Sequence, residues 1–107
     1  MATNLWKMAR TQLEKHIQST AANTSNVFFT AHARRDSMAK RKVSDAEVYE
    51  CLRGGRIFLE PEEDMKTGHL ICRMECYGAS RHLAVVVALD ASDPNLIVVT
   101  VITRKAQ

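Results

Sequence analysis

Apolar residues recur with a helical period in the first half of the chain and alternate with polar residues in the second half. Near the start they lie at roughly helical spacing, at Leu5, Met8, Leu13 and Ile17. This spacing predicts an amphipathic helix over residues 3–19. Residues 20–26, rich in Ser, Thr and Asn, are predicted to form a linker, and residues 27–42 a second helix.

A third, shorter helix is predicted from its end signals. Ser44 is an N-cap candidate, and Glu47 three residues later completes the capping-box pattern. The adjacent glycines Gly54 and Gly55 stop the helix. The whole of residues 27–54 is therefore predicted to be helical.

After the glycines the period changes to two, which is typical of strands. Residues 69–77 alternate, with four side chains on one face of the predicted strand, Leu70, Cys72, Met74 and Cys76. We expect this face to meet the helices, with Arg73 and Glu75 on the opposite, open face. Three further strands are predicted over residues 56–60, 83–89 and 96–103, and an acidic loop over residues 61–68.

This order of elements predicts a single α+β domain over residues 1–107. N-terminal helices would pack on one face of a four-stranded antiparallel sheet formed by residues 56–103. The apolar stripe of the first helix must be buried somewhere, because an isolated helix of this length is marginal in water. We expect it to pack on its own sheet; the alternative is a partner protein or a second copy of the chain, as in a homodimer.

Composition and charge narrow the class of protein. With 107 residues, 46% of them hydrophobic, the chain can bury one core and is neither low-complexity nor broadly disordered. The longest apolar run, residues 83–89, is too short to span a membrane, and no secretory signal is visible, so a cytoplasmic protein is expected. Residues 1–56 carry ten Lys and Arg against five Asp and Glu. This excess is compatible with a polyanionic partner, or with a solvated helical face.

Two polar groups are candidates for chemistry. His32 shares a predicted helix face with Arg35 and Asp36, an arrangement that suits general acid–base work but also an ordinary surface charge ladder. Arg73 and Glu75 project to the same side of a predicted strand, where an arginine could clamp a phosphate. The alternative for this pair is cross-strand ion pairing on a solvated face.

No metal site or cofactor is expected. His69, Cys72, Cys76 and His82 look at first like zinc ligands. On a strand, however, Cys72 and Cys76 would be about 13 Å apart at about 3.3 Å per residue. Two sulfurs that far apart cannot both lie about 2.3 Å from one zinc ion. The three cysteines are instead expected to be reduced, with no disulfide framework.

Several short motifs, in order, resemble domain-of-unknown-function family 4258. They comprise Phe29-Thr30-Ala31-His32-Ala33-Arg34, Met38-Ala39-Lys40-Arg41-Lys42-Val43-Ser44, a helix ending at Gly55, Arg73, the 83–89 run and residues 98–102. The resemblance covers residues 28–103. One departure is that the residue before the motif methionine, usually arginine, is Ser37, with one extra residue between His32 and Met38. Arg34 or Arg35 would replace the missing arginine.

The resemblance implies a RelE-like fold and a place among RelE-like and colicin-like ribonuclease toxins, whose members are common on mobile elements. We therefore expect a metal-independent endoribonuclease, with His32 in acid–base work, Arg73 on the phosphate and Glu75 as a candidate base. Four basic residues would bind and orient the RNA backbone: Arg34, Arg35, Lys40 and Arg41.

Two other functions are compatible with the sequence. One is a non-catalytic module that sequesters a host or regulatory protein through a sheet edge or the N-terminal helix. The other is nucleic-acid binding without cleavage, which the shortage of aromatic residues disfavours. A toxin would have a cognate antitoxin as its partner.

Overall fold

The structure, a computed structural model, describes residues 8–78, 81–90 and 92–105. Its helices are α1 (Arg10–Ala21), α2 (residues 33–41) and α3 (Asp45–Gly54). Its strands are β1 (Val27–Phe29), β2 (Glu62–Glu63), β3 (Leu70–Tyr77), β4 (Arg81–Asp90) and β5 (Asp93–Lys105). A turn of 3₁₀ helix, Thr24–Asn26, precedes β1. The predicted α+β class is confirmed.

The sheet has five strands and is mixed, so the prediction of four antiparallel strands was wrong in two respects. The strand order is β1-β5-β4-β3-β2. The pairs from β2 to β5 are antiparallel, whereas β1 runs parallel to β5. The central strands are β3, β4 and β5, and they agree with the three longest strands predicted from the sequence.

Strand β1 lies where a helix was predicted to begin. Val27 is buried and Phe28 is exposed, which is the alternation of a strand. Phe28 pairs with Ile97 of β5, and Thr30 N–H continues the ladder by donating to the carbonyl of Val98. A partner distant in sequence therefore sets the conformation of these residues, and the helix predicted over 27–42 begins only after β1.

The chain between α3 and β3 forms less strand than predicted at 56–60 and more than predicted at 61–68. Arg56 makes a single bridge opposite Glu75, and β2 pairs Glu62 opposite Ile71. Between these two contacts the first segment advances six residues while β3 advances only four. The surplus residues must leave the sheet edge, which interrupts the strand.

The alternation predicted for β3 is confirmed on the face that meets the helices. Leu70, Cys72 and Met74 are buried in the core, and Cys76 packs against it. On α1, Leu13 and Ile17 belong to the same core. The stripe of α1 is therefore buried within its own domain rather than offered to a partner. The predicted stripe residue Leu5 lies outside the described residues.

Helix α3 begins and ends as the sequence indicates. Ser44 Oγ accepts a hydrogen bond from the amide of Glu47, and the Glu47 carboxylate accepts one from the amide of Ser44. Both bonds satisfy N–H groups that have no partner inside the helix. The helix then stops at Gly54, followed by Gly55 in extended conformation. The capping box and the glycine stop are confirmed.

Helix α2 contains a π-helical stretch at Ala33–Met38 before it continues as α-helix over Ala39–Arg41. A π-helical turn is wider than an α-helical turn, because its hydrogen bonds join residues five apart rather than four. It also turns Ser37 into the core, where Oγ donates to the carbonyl of Ala33 and accepts from the amide of Val101. Ser37 thus provides a hydrogen-bond partner for the amide of Val101 in β5, beyond the end of β1.

Candidate functional site

Three ionisable side chains meet on the face of the sheet that points away from the helices. Glu75 and Arg73 stand on β3, and His82 stands at the start of β4. His82 Nε2 lies 2.9 Å from Glu75 Oε1, and Arg73 Nε lies 3.7 Å from Glu75 Oε2. Ala84 is the residue opposite Glu75 across the strand pair, and its small side chain leaves room for the carboxylate. We call Arg73, Glu75 and His82 the β3–β4 cluster.

Aromatic rings cover one side of this cluster. The Tyr77 ring stacks on the His82 imidazole with centroids 4.2 Å apart, and Phe58 meets Tyr77 edge to face at 5.9 Å. Glu75 itself is only 6% exposed. The expectation that Glu75 stands on an open face was therefore wrong: the side is correct, but the carboxylate is buried beneath His82.

The nitrogen atoms of the cluster retain unused hydrogen-bonding capacity. Arg73 Nε and His82 Nε2 are both buried atoms, and neither makes an aligned hydrogen bond within the described part of the chain. Both atoms face the Glu75 carboxylate. Buried polar atoms of this kind are normally paired. The cluster therefore holds two buried nitrogen atoms without an aligned hydrogen bond to the described residues.

A cavity of about 180 Å³ opens beside Arg73. Ile71 and Val86 line it from the sheet, and Leu59 and Glu60 line it from the chain that follows α3. The guanidinium thus faces accessible space on one side and Glu75 on the other. Two carboxylates, Glu60 and Glu62, line the same cavity, so a group that approaches Arg73 from this side also meets negative charge.

His32 does not join the β3–β4 cluster. It lies just before α2, and its side chain is 62% exposed with Nδ1 3.1 Å from a carboxylate oxygen of Asp36. Helix α2 packs into the core through Ala33 and Met38, on the side of the sheet opposite the cluster. The structure therefore brings Arg73 and Glu75 together and leaves His32 in the helical layer.

The four basic residues predicted to steer RNA also belong to the helical layer, and all four are exposed: Arg34, Arg35, Lys40 and Arg41. Arg34 pairs with Asp45 at 2.9 Å, and its guanidinium stacks over the Phe29 ring. The carbonyl of Arg41 accepts a hydrogen bond from Arg81 of β4. Arg34 and the Arg41 backbone thus hold α2 against its neighbours, away from the β3–β4 cluster.

His82 is the member of the cluster that the sequence interpretation missed. It was considered only as a zinc ligand. The signal that could have found it is the hairpin register, which pairs His82 with Tyr77 across a tight connection and so aligns it with Glu75. In the described residues, no group of three or more His, Cys, Asp and Glu side chains converges as metal ligands.

Comparison with known protein families gives one match. The family described as "Domain of unknown function (DUF4258)" matches residues 29–103. The chain belongs to this family. The DUF4258 match begins at the last residue of β1 and ends within β5, so it includes the β3–β4 cluster and leaves out α1.

This DUF4258 protein matches no curated protein and no solved structure. Among its described residues, no helix has the length and apolar character that crossing a membrane requires.

Proposed function

We propose that this DUF4258 protein is a small, metal-independent endoribonuclease of the toxin type, and that the β3–β4 cluster is its active site. The observation that carries the proposal is the meeting of a buried carboxylate, an imidazole and a guanidinium within 4 Å contacts on one sheet face. These are the three kinds of group that RNA cleavage without a metal requires: a proton carrier, a group that orients it, and a cation for the phosphate.

In the proposed reaction the RNA 2′-oxygen attacks the adjacent phosphorus. The new bond closes a 2′,3′-cyclic phosphate, and the bond from phosphorus to the 5′-oxygen breaks. His82 takes the 2′-hydroxyl proton and returns it to the departing 5′-oxygen. Glu75, buried and 2.9 Å from His82 Nε2, orients the imidazole. Arg73 binds the negative charge that develops on the phosphate.

Exposed aromatic rings beside the cluster support RNA as the substrate. Tyr77, which stacks on His82, is 71% exposed, and Phe58, which contacts Tyr77, is 49% exposed. Unpaired RNA bases stack on such rings. The sequence interpretation counted few aromatic residues; the fold places two of them next to the proposed active site.

The proposal includes the wider assignment that the resemblance implies. The protein would act in the cytoplasm as a member of the RelE-like and colicin-like ribonuclease superfamily, encoded in a mobile-element or phage-like region. A cognate antitoxin would be its natural partner, and a homodimer its candidate assembly. The basic residues of α2 would meet RNA on the side of the sheet away from the cluster.

The test is RNA cleavage by single-residue variants, measured on a labelled single-stranded RNA in the presence of EDTA. His82→Gln should lower the cleavage rate about 100-fold or more, because general acid–base groups contribute on this scale. Arg73→Gln should lower it about as much, because it removes the cation that stabilises charge on the phosphate. Glu75→Gln should also lower it. The product should carry a 2′,3′-cyclic phosphate.

His32→Ala is the matched control, because His32 is an exposed histidine paired with a carboxylate in the helical layer. It should cleave at the rate of the unsubstituted protein. Circular dichroism would show that every variant is folded. A His82→Gln variant that cleaves normally, or a His32→Ala variant that does not cleave, would overturn the assignment.

A second candidate, the non-catalytic binding module, is favoured by the exposed apolar residues Phe58 and Leu59 next to Tyr77. Such a module would bind its partner through these exposed residues near the sheet edge, because the apolar stripe of α1 is already buried in the domain. Absence of cleavage on every RNA tried, together with loss of partner binding in Phe58→Ser, would support this alternative.

A further inference from the structure

Two of the three cysteines lie against one another where α3 packs on the sheet. Cys51 is fully buried on α3, with Sγ 3.3 Å from the carbonyl oxygen of Met74 and 3.8 Å from that of Leu83. Cys76 of β3 is the residue paired with Leu83 across the β3–β4 ladder, and it packs against the same core. The Cys51 sulfur therefore lies directly over the strand pair that contains Cys76.

The two thiols are neighbours on the side of the β3–β4 strand pair that faces α3. The pKa of the Cys51 thiol is raised above its usual range, first by burial and next by a hydrogen bond with the Cys76 thiol. The third cysteine differs: burial alone raises the pKa of Cys72 to about 12, and no second thiol contributes. The chain thus holds one pair of neighbouring thiols and one isolated thiol, and all three cysteines are free.

The close approach of α3 to β3 depends on the backbone at Gly55. A Cβ at this position would lie 2.5 Å from the carbonyl oxygen of Cys51 and 2.9 Å from that of Glu75. The absence of a side chain lets the end of α3 rest on β3. The two cysteines are therefore held together by rigid elements rather than by mobile loops.

Only one member of the pair is open to a reagent in solution. Cys76 is half-buried and lines an open cavity of about 150 Å³ together with Glu50, Arg81 and Leu83. Cys51 is covered completely. A small oxidant in solution can therefore reach the sulfur of Cys76, whereas Cys51 can be oxidised only by reaction with an oxidised Cys76.

We propose that Cys51 and Cys76 form a redox modification site, a dithiol that a peroxide converts to an intramolecular disulfide. The peroxide transfers one oxygen to the Cys76 sulfur, which becomes a sulfenic acid while the peroxide is reduced to water. The Cys51 sulfur then attacks the Cys76 sulfur; the S–S bond forms, the S–O bond breaks, and the Cys51 thiol proton joins the departing hydroxide to give a second water. The disulfide fastens α3 to the strand that carries Arg73 and Glu75.

The experiment is a peroxide titration of the full-length reduced protein, followed by unfolding, alkylation of the remaining thiols and mass spectrometry of the intact chain and its peptides. The expected product is a monomer with one alkylated cysteine, Cys72, and a peptide cross-link joining Cys51 to Cys76. Dithiothreitol should restore three alkylated cysteines.

Cys72→Ser is the matched control and should form the same cross-link. Cys76→Ser should lose it, and because Cys76 is half-exposed this variant is expected to remain folded; Cys51→Ala should lose it as well. A cross-link that includes Cys72, disulfides only between chains, or three alkylated thiols after peroxide treatment would each overturn the proposal. None of these outcomes depends on whether the protein cleaves RNA.

Discussion

Gly54 and Gly55 are adjacent in sequence, yet alanine should have opposite effects at the two positions. Gly55 has an ordinary extended backbone, φ −77° and ψ 177°, which any residue adopts, so the cost of a side chain there is steric. Its Cβ would lie 2.5 Å from the Cys51 carbonyl oxygen and 2.9 Å from the Glu75 carbonyl oxygen. Both are backbone atoms. A Cβ at Gly54, by contrast, would meet nothing within 4 Å.

The magnitudes follow from these distances. Inserting a methyl group into a packed region costs about 1–3 kcal/mol, and the upper part of this range applies at Gly55 because neither backbone atom can move aside alone. The end of α3 would have to separate from β3, which weakens the two hydrogen bonds between Arg56 and Glu75. Gly54→Ala should instead stabilise the protein by about 0.5–1 kcal/mol, because alanine is the better helix former.

Urea denaturation followed by circular dichroism would measure both effects. Gly55→Ala should lower the midpoint without changing the slope, and Gly54→Ala should raise it. For a domain of this size a loss of about 2 kcal/mol corresponds to a fall in Tm of roughly 10 °C. If Gly55→Ala proved as stable as Gly54→Ala, the close approach of α3 to β3 would be refuted.

Two further predictions concern a buried hydroxyl and a titrating ion pair. Ser37→Ala should lower the free energy of unfolding by about 1–2 kcal/mol, because it leaves the buried amide of Val101 without an acceptor. Ser19→Ala is the control, since it also removes a hydroxyl that donates to a carbonyl of its own helix, but on an exposed face. It should be nearly neutral in the same urea assay. Equal stability of the two serine variants would contradict this. A hydrogen bond from Arg81 lowers the pKa of Glu47 in the folded state. The ion pair therefore stabilises the protein at pH values above the pKa that Glu47 has in the unfolded chain. This stabilisation is lost as the pH falls through the lower pKa of the folded state. Arg81→Met should therefore destabilise the protein more at neutral pH than at about pH 2, and thermal melts showing an equal loss at both pH values would show that the ion pair does not stabilise the fold.

Elements governed by neighbouring residues were determined by the sequence itself. The start of α3 is one case, because Ser44 and Glu47 satisfy each other's amides within one turn. The buried face of β3 is another, because alternation along a strand assigns every second side chain to the core whatever the partner strand. The resemblance to the DUF4258 family also depended on local motifs, and the family match confirms it.

The tertiary structure alone decided the features that depend on distant partners. Residues 27–29 form β1 because Phe28 pairs with Ile97, far along the chain, and this pairing overrides the helical pattern around it. The proposed site also depends on a distant partner. Strand β3 places Arg73 and Glu75 on one face, as their spacing predicts, but His82 reaches Glu75 only because of the β3–β4 register. The burial of Glu75 was decided in the same way, since a period of two assigns a side chain to a face and the packing of other segments decides whether that face meets solvent.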